Sequence, residues 1–160
     1  MHGHAVVIGG SVAGLMAAFG AADSFERVTV LERDDLIDGP EPRKGAPQGR
    51  QPHACLPIGM ELISEFIPDL RDQLLSADCT LLDDVLDLPY LSAEGWRMRM
   101  RSGVEMIGFR RPLFEWVIRR NLLKLPNVSV KQGVASGLVS VAGTVTGVRL
   151  QGVGELPADS

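Results

Sequence analysis

Cysteine, aromatic residues and long apolar runs are all scarce in this sequence of 160 residues. The two cysteines, Cys55 and Cys79, and the three histidines lack the spacing of a metal site. The sequence has no run of about 18 apolar residues and no basic region before an apolar stretch at its start, so neither a membrane span nor a secretory signal is expected. We therefore expect a reduced, cytoplasmic protein without a metal.

Positively charged residues do not outnumber negatively charged ones, with 16 lysines and arginines against 20 aspartates and glutamates. The formal net charge is -4, and the arginines between Arg97 and Arg111 have little aromatic interleaving. We interpret them as a solvated strand face rather than as a nucleic-acid surface. The sequence is 45% hydrophobic and 22% charged, which is typical of one globular domain.

The pattern predicts a strand over residues 5–8, a helix over 12–22 and a second strand over 27–31. Residues 34–57 contain five prolines and three glycines, so we expect a long loop without regular structure. Further on, the pattern predicts helices over 58–67 and 70–75, a strand over 96–101 that forms a hairpin with 104–109, a helix from Pro112 and three short β runs. Trp96, Met98 and Met100 alternate with arginines, and we expect them in the core, with the wall of a substrate pocket as the alternative. His2 and His4 are expected at a solvated end.

The turn between the first predicted strand and the first predicted helix indicates a binding site. Gly9, Ser11 and Gly14 fit the pattern G-x-[G/S]-x-x-G between a strand and a helix. Gly9 permits a sharp turn, a small residue at Ser11 permits the backbone to approach a pyrophosphate, and Gly14 permits close packing of helix on strand. Glu32 ends the second strand 18 residues after Gly14, where an acid can accept hydrogen bonds from an adenosine ribose. The sequence therefore predicts a dinucleotide site.

Arg33, directly after Glu32, has three interpretations. An arginine at this position can bind a 2′-phosphate, which would indicate NADP. It can equally stack on adenine or lie in solvent. The carboxylate of Glu32 would repel a 2′-phosphate, which favours a cofactor without one.

Five stretches, in this order, resemble FAD-dependent monooxygenases of the aromatic-hydroxylase type, in particular a bacterial epoxidase- or halogenase-like branch. They are "VVIGGSVAGL", "VTVLERD", "PRKGAPQGRQPHACLPIGMELISEFIPDL", "RRPLFEWVIRRNLLKLPNVSVKQGVASGLV" and "VTGVRL". The resemblance implies an α/β fold, in which a Rossmann-like FAD/NAD(P)-binding domain with a parallel sheet is truncated and carries a partial β appendage. Residues 1–76 and 104–160 would form the Rossmann-like part, and 77–103 would begin a substrate-domain insertion.

The resemblance also implies the roles of individual residues. The diphosphate turn would be formed by Gly9, Gly10, Ser11, Ala13 and Gly14, with serine in place of the usual middle glycine. Glu32 and Arg33 would lie at the adenosine, Arg43, Lys44 and Gly45 at the diphosphate and ribityl chain, Arg50 and His53 near the flavin, Arg111 on the far side of the cofactor and Val134 at adenine. No residue is identified as catalytic.

The implied activity is oxidation by FAD, with NADH or NADPH as co-substrate and hydroxylation or epoxidation of a hydrophobic or aromatic small molecule by O₂. The resemblance further implies a later "GD" segment that the sequence lacks, so we expect a fragment with incomplete activity. A complementing C-terminal half or a homo-oligomer is the expected partner. A non-catalytic nucleotide-binding module and a short NAD(P)-binding Rossmann protein remain alternatives.

Overall fold

The structure is a computed structural model that describes residues 2–35, 38–152 and 154–159. In those residues, the strands are β1 (His2–Ile8), β2 (Phe25–Glu32), β3 (Pro52–Cys55), β4 (Thr80–Asp83), β5 (Leu91–Ser92), β6 (Gly95–Trp96), β7 (Glu105–Arg110), β8 (Val128–Gln132), β9 (Ala135–Val141), β10 (Thr144–Leu150) and β11 (Gly154–Pro157). The helices are α1 (Val12–Ala22), α2 (Pro57–Ser64), α3 (Leu70–Ser76) and α4 (Arg111–Leu122), and a 3₁₀ turn covers Pro47–Arg50.

A parallel sheet in the order β1-β2-β8 forms the centre of this α/β fold. Helices α1 and α4 bury their apolar side chains in one core with this sheet. The core side chains without exposed surface include Leu15, Val28, Val30, Ile118 and Leu122. Burial of each side chain of this size stabilises the fold by about 1.5–3 kcal/mol. The carboxyl ends of β1 and β2, and the loop after β8, lie at one edge of the sheet.

The other strands form smaller antiparallel sheets. One has the order β3-β7-β4, another the order β11-β10-β9, and β5 pairs with β6. Ala142 and Gly143 form the turn between β9 and β10, and both residues have positive φ. None of the helices in the described residues has the length and hydropathy needed to cross a bilayer.

The predicted hairpin between residues 96–101 and 104–109 is wrong. Strand β7 instead lies between β3 and β4. The Asp83 carboxylate accepts hydrogen bonds from the amides of Ser102 and Gly103, which fixes this turn beside β4. Arg97 and Arg99 donate hydrogen bonds to backbone carbonyls between residues 84 and 88. These bonds hold residues 97–99 beside that loop instead of in a strand paired with β7. The three side chains that were expected in the core are exposed: Trp96, Met98 and Met100.

Two other expectations are also wrong. The loop over residues 34–57 contains the 3₁₀ turn and β3, because proline suits the first turn of a helix and an edge strand. His4 is buried within β1 rather than solvated, and its Nε2 lies 2.8 Å from the Thr29 hydroxyl. Burial and the nearby charge of Arg27 lower the pKa of His4.

Helix α1 contains two glycines in different surroundings, and they offer a matched test of its packing. An added Cβ at Gly14 would overlap the carbonyl oxygen of Gly9, whereas one at Gly20 would meet no atom within 4 Å. We expect Gly14→Ala to lower the free energy of unfolding by about 1–3 kcal/mol through overpacking. Gly20→Ala should raise it by about 0.5–1 kcal/mol, because alanine is the better helix former. Urea unfolding of both variants checks this, and equal effects would contradict the close packing at Gly14.

Candidate functional site

The turn between β1 and α1 has the geometry that its glycines predict. Gly9 has a φ of 103°, a conformation that favours glycine, and its amide donates to the carbonyl of Leu31 at 2.8 Å. Because Gly14 lies directly against Gly9, the start of α1 is held close to the end of β1. The positive end of the helix dipole therefore points towards the edge where the parallel strands end.

Ser11 is the N-cap residue of α1, yet its side chain caps no amide of the helix. Its hydroxyl instead donates to Oε1 of Glu115 at 2.5 Å and accepts from Nη2 of Arg111 at 2.9 Å. The first amides of α1 thus have no side-chain cap. Such a helix start is suited to an anion, because amide groups and the helix dipole both favour negative charge there.

Glu32 is buried at the end of β2. Its carboxylate accepts the amide of Gly10 at 2.6 Å and that of Asp34 at 3.0 Å, and it lies 3.2 Å from the Arg43 guanidinium. Burial alone would raise the pKa of Glu32, but the two amide hydrogen bonds and the charge of Arg43 outweigh it and hold the pKa below its usual value. Glu32 is therefore an ionised acceptor at the edge of the sheet.

Arg43 connects three carboxylates. Its side chain is 8% exposed, and its guanidinium lies 3.2 Å from Glu32, 3.3 Å from Asp34 and 2.7 Å from Glu115. Glu115 also accepts from Nε of Arg111 at 3.0 Å. Burial would raise the pKa of Glu115, but hydrogen bonds from Arg43 and Ser11 hold it low. The cluster therefore contains ionised groups of both signs at the start of α1.

Glu115 and Asp34 were missed by the sequence analysis. Glu115 lies four residues after Arg111 on the same face of α4, and this spacing is a signal that could have identified it. Asp34 had no comparable signal, since its contact with Arg43 and its acceptance of the Gly45 amide arise within an irregular loop.

A groove of about 440 Å³ lies over the turn. Nine of the predicted residues line it: Gly9, Ser11, Ala13, Gly14, Glu32, Arg33, Arg43, Gly45 and Val134. Gly10 and Arg111 bond to residues of its wall, namely Glu32 and Ser11. Lys44 follows Arg43 on the loop and is exposed. The structure thus brings together most of the residues predicted for the dinucleotide.

Arg50 and His53 instead line a second groove of about 950 Å³ on the sheet of β3, β7 and β4. The His53 ring stacks on Phe109, with 6.1 Å between centroids, and its Nδ1 lies 2.9 Å from the carbonyl of Gln51. The two grooves adjoin one loop, because Arg43 lines the first, and Pro42 and Gly49 line the second.

The chain resembles several known proteins over part of their length. No family model matches it. Protein Rv3254 of Mycobacterium tuberculosis is 36% identical over 131 residues, which represent 79% of this chain and 28% of that protein. The chain therefore spans less than a third of this curated relative.

Three solved structures show the same fold. The p-nitrophenol 4-monooxygenase PnpA from Pseudomonas putida DLL-E4 has a TM-score of 0.64 at 20% identity, over 98% of this chain and 39% of that one. The myxobacterial FAD-dependent chondrochloren halogenase CndH has a TM-score of 0.68 at 19% identity, over 98% and 35%. A flavin-dependent halogenase from Xanthomonas campestris has a TM-score of 0.65 at 13% identity, over 99% and 41%. The chain has part of the fold of these monooxygenases and halogenases.

The lowered pKa of Glu32 predicts how Glu32→Gln changes stability with pH. The amide NH₂ of glutamine would face the Gly10 or Asp34 amide, so the variant should be less stable by about 1–3 kcal/mol at pH 7. The Glu32 contribution is present above the unfolded pKa, about 4.5, and is lost as the pH falls through the lower folded pKa. The difference between wild type and Glu32→Gln in urea unfolding should therefore shrink below about pH 4.5.

The control is Glu61→Gln on the exposed face of α2. It should change the free energy of unfolding little at any pH. A difference for Glu32→Gln that stays constant from pH 7 to pH 3 would contradict an ionised Glu32 in the folded protein.

Proposed function

We propose that this chain, which has part of the fold of FAD-dependent monooxygenases and halogenases, binds the ADP portion of FAD in the groove over the β1–α1 turn. The diphosphate would lie at the first amides of α1, the adenosine ribose at Glu32 and adenine along Val134. The observation that carries the proposal is the groove itself, which joins uncapped helix amides to a buried, ionised carboxylate. These groups match the phosphates and the ribose hydroxyls of a dinucleotide.

The residues present fit this group sterically as well as chemically. Gly9 and Gly14 bring the backbone to the groove without side chains, and Gly45 could not carry a Cβ without meeting Asp34 at 2.6 Å. Glu32 and Asp34 both lie beside Arg43, so a 2′-phosphate at this ribose would meet two carboxylates. This charge favours FAD over NADP as the resident dinucleotide.

We further propose a Rossmann-like assignment for the parallel β1-β2-β8 sheet, with residues 1–76 and 104–160 as the cofactor domain and 77–103 as the beginning of a substrate domain. Strands β5 and β6, which form a sheet of their own, support this division. The second groove, with Arg50, His53 and Phe109, would face the flavin end and a hydrophobic or aromatic substrate.

In the whole protein, FAD would supply the redox chemistry, with NADH or NADPH as reductant and hydroxylation or epoxidation as the reaction. The residues of this chain would bind and orient the cofactor. Because such oxidation requires a pocket shielded from water, we propose turnover only where a complementing segment or a second copy covers the second groove.

Calorimetry with FAD, ADP and NAD⁺ tests the proposed site. Wild type should bind FAD and ADP, and bind NAD⁺ more weakly. Val134→Glu places a negative charge at an exposed position of the groove, where the fold tolerates it, and should weaken both FAD and ADP binding about tenfold or more. The matched control is Val141→Glu, since Val141 is exposed at the end of β9 away from the groove.

The outcomes separate the candidate functions. Failure of the folded wild type to bind either FAD or ADP would overturn the proposal. Tighter binding of NAD⁺ than of FAD would favour an NAD-binding protein. Binding of ADP without binding of FAD would favour a nucleotide-binding module over a flavoprotein.

A further inference from the structure

The Ser11 hydroxyl is turned away from the helix that it begins. A serine at the N-cap ordinarily accepts a hydrogen bond from the second or third amide of its helix, here Ala13 or Gly14. In this chain no such bond forms, because the hydroxyl donates to Glu115 and accepts from Arg111. The side chain that would compete with a phosphate for these amides is therefore held elsewhere.

Glu115 is the residue that fixes this arrangement. Its side chain is 4% exposed, Oε1 binds Ser11 and Nε of Arg111, and Oε2 lies 2.7 Å from Nη2 of Arg43. One buried carboxylate thus holds two guanidinium groups and the N-cap hydroxyl. Hydrogen bonds to a charged group are stronger than neutral ones, so the three partners have well-defined positions.

We propose that Glu115 is a positioning residue of the dinucleotide site, which keeps the amides of Ala13 and Gly14 open to a diphosphate and places Arg43 and Arg111 beside them. The inference rests on the proposed binding of FAD. Glu115 itself does not contact the ligand in this arrangement and acts through Ser11 and the two arginines. Its removal lets the hydroxyl turn back and cap the helix.

Glu115→Ala in the full chain tests the proposal by calorimetry. ADP and FAD binding should weaken about tenfold or more, because the arginines lose their common partner and Ser11 competes for the amides. Binding of adenosine, which has no phosphate, should be unchanged, whereas a general loss of structure would weaken all three. Glu105→Ala is the matched control, since Glu105 pairs with Arg71 at the surface and its side chain is 59% exposed.

A second variant isolates the path through the serine. Ser11→Ala removes the competing hydroxyl, so Ser11→Ala/Glu115→Ala should bind ADP more tightly than Glu115→Ala alone. If Glu115→Ala does not fold, Glu115→Gln provides the test, because glutamine retains the side-chain volume. Its ADP affinity should be lower than that of wild type but still measurable. Unchanged or tighter ADP binding by a folded Glu115 variant would overturn the proposal, because it would identify Glu115 as a bystander or as a competitor for the arginines.

A crystal structure of Glu115→Ala separates this inference from the proposed function. A Ser11 hydroxyl bonded to the amide of Ala13 or Gly14 would confirm the positioning role even if wild type bound neither FAD nor ADP, and then only the proposed function would fail. A hydroxyl that keeps its place without Glu115 would overturn the positioning role while the dinucleotide site stands.

Discussion

The pairing of the buried Arg43 guanidinium determines how the elements around the turn fit together. Arg43 belongs to an irregular loop, while its partners Glu32 and Glu115 lie on β2 and α4. A buried charge that loses its partner is strongly destabilising, commonly by about 3–5 kcal/mol. The loop after β2 therefore has a fixed place beside the parallel sheet although few of its own backbone groups are in regular structure. Through Glu115 the same network reaches Ser11, so it also sets the start of α1.

The sequence pattern correctly predicted those elements whose formation depends on residues close together in the chain. The β1–α1–β2 unit follows from apolar runs and from a turn that only glycine fits at Gly9 and Gly14. The failure at residues 96–101 has another origin. The alternation of Trp96, Met98 and Met100 with arginines fits a strand, but strand pairing depends on long-range partners, and β7 finds these in β3 and β4. The hydrogen bonds that the Asp83 carboxylate accepts from backbone amides could not be predicted from the alternation of apolar and charged residues.

Some residues of the candidate site could be predicted from the sequence and others could not, for the same reason. The glycine positions and the acid at the end of β2 could be predicted because their spacing follows from the geometry of a strand, a turn and a helix. The partners of Arg43 could not, because they come together from residues 32, 34 and 115, which no single periodicity connects. Only the Arg111–Glu115 pair left a local trace, in the four-residue spacing of a helix face.

The two grooves share one loop, and this has a mechanical consequence. Arg43 faces the first groove, whereas Gly49 and Arg50 face the second, and Gly49 lies where an added Cβ would come within 3.3 Å of the ring of Pro112 at the start of α4. The same helix carries Arg111 and Glu115. If a ligand binds in the first groove as proposed and draws Arg111 towards its phosphates, it would act directly beside Pro112, the neighbour of Gly49 in the wall of the second groove. Interiors are packed too tightly for one anchor to shift without its neighbours. Under the proposed binding, a ligand in the first groove would therefore affect the shape of the second through the start of α4, where Pro112 lies beside Gly49.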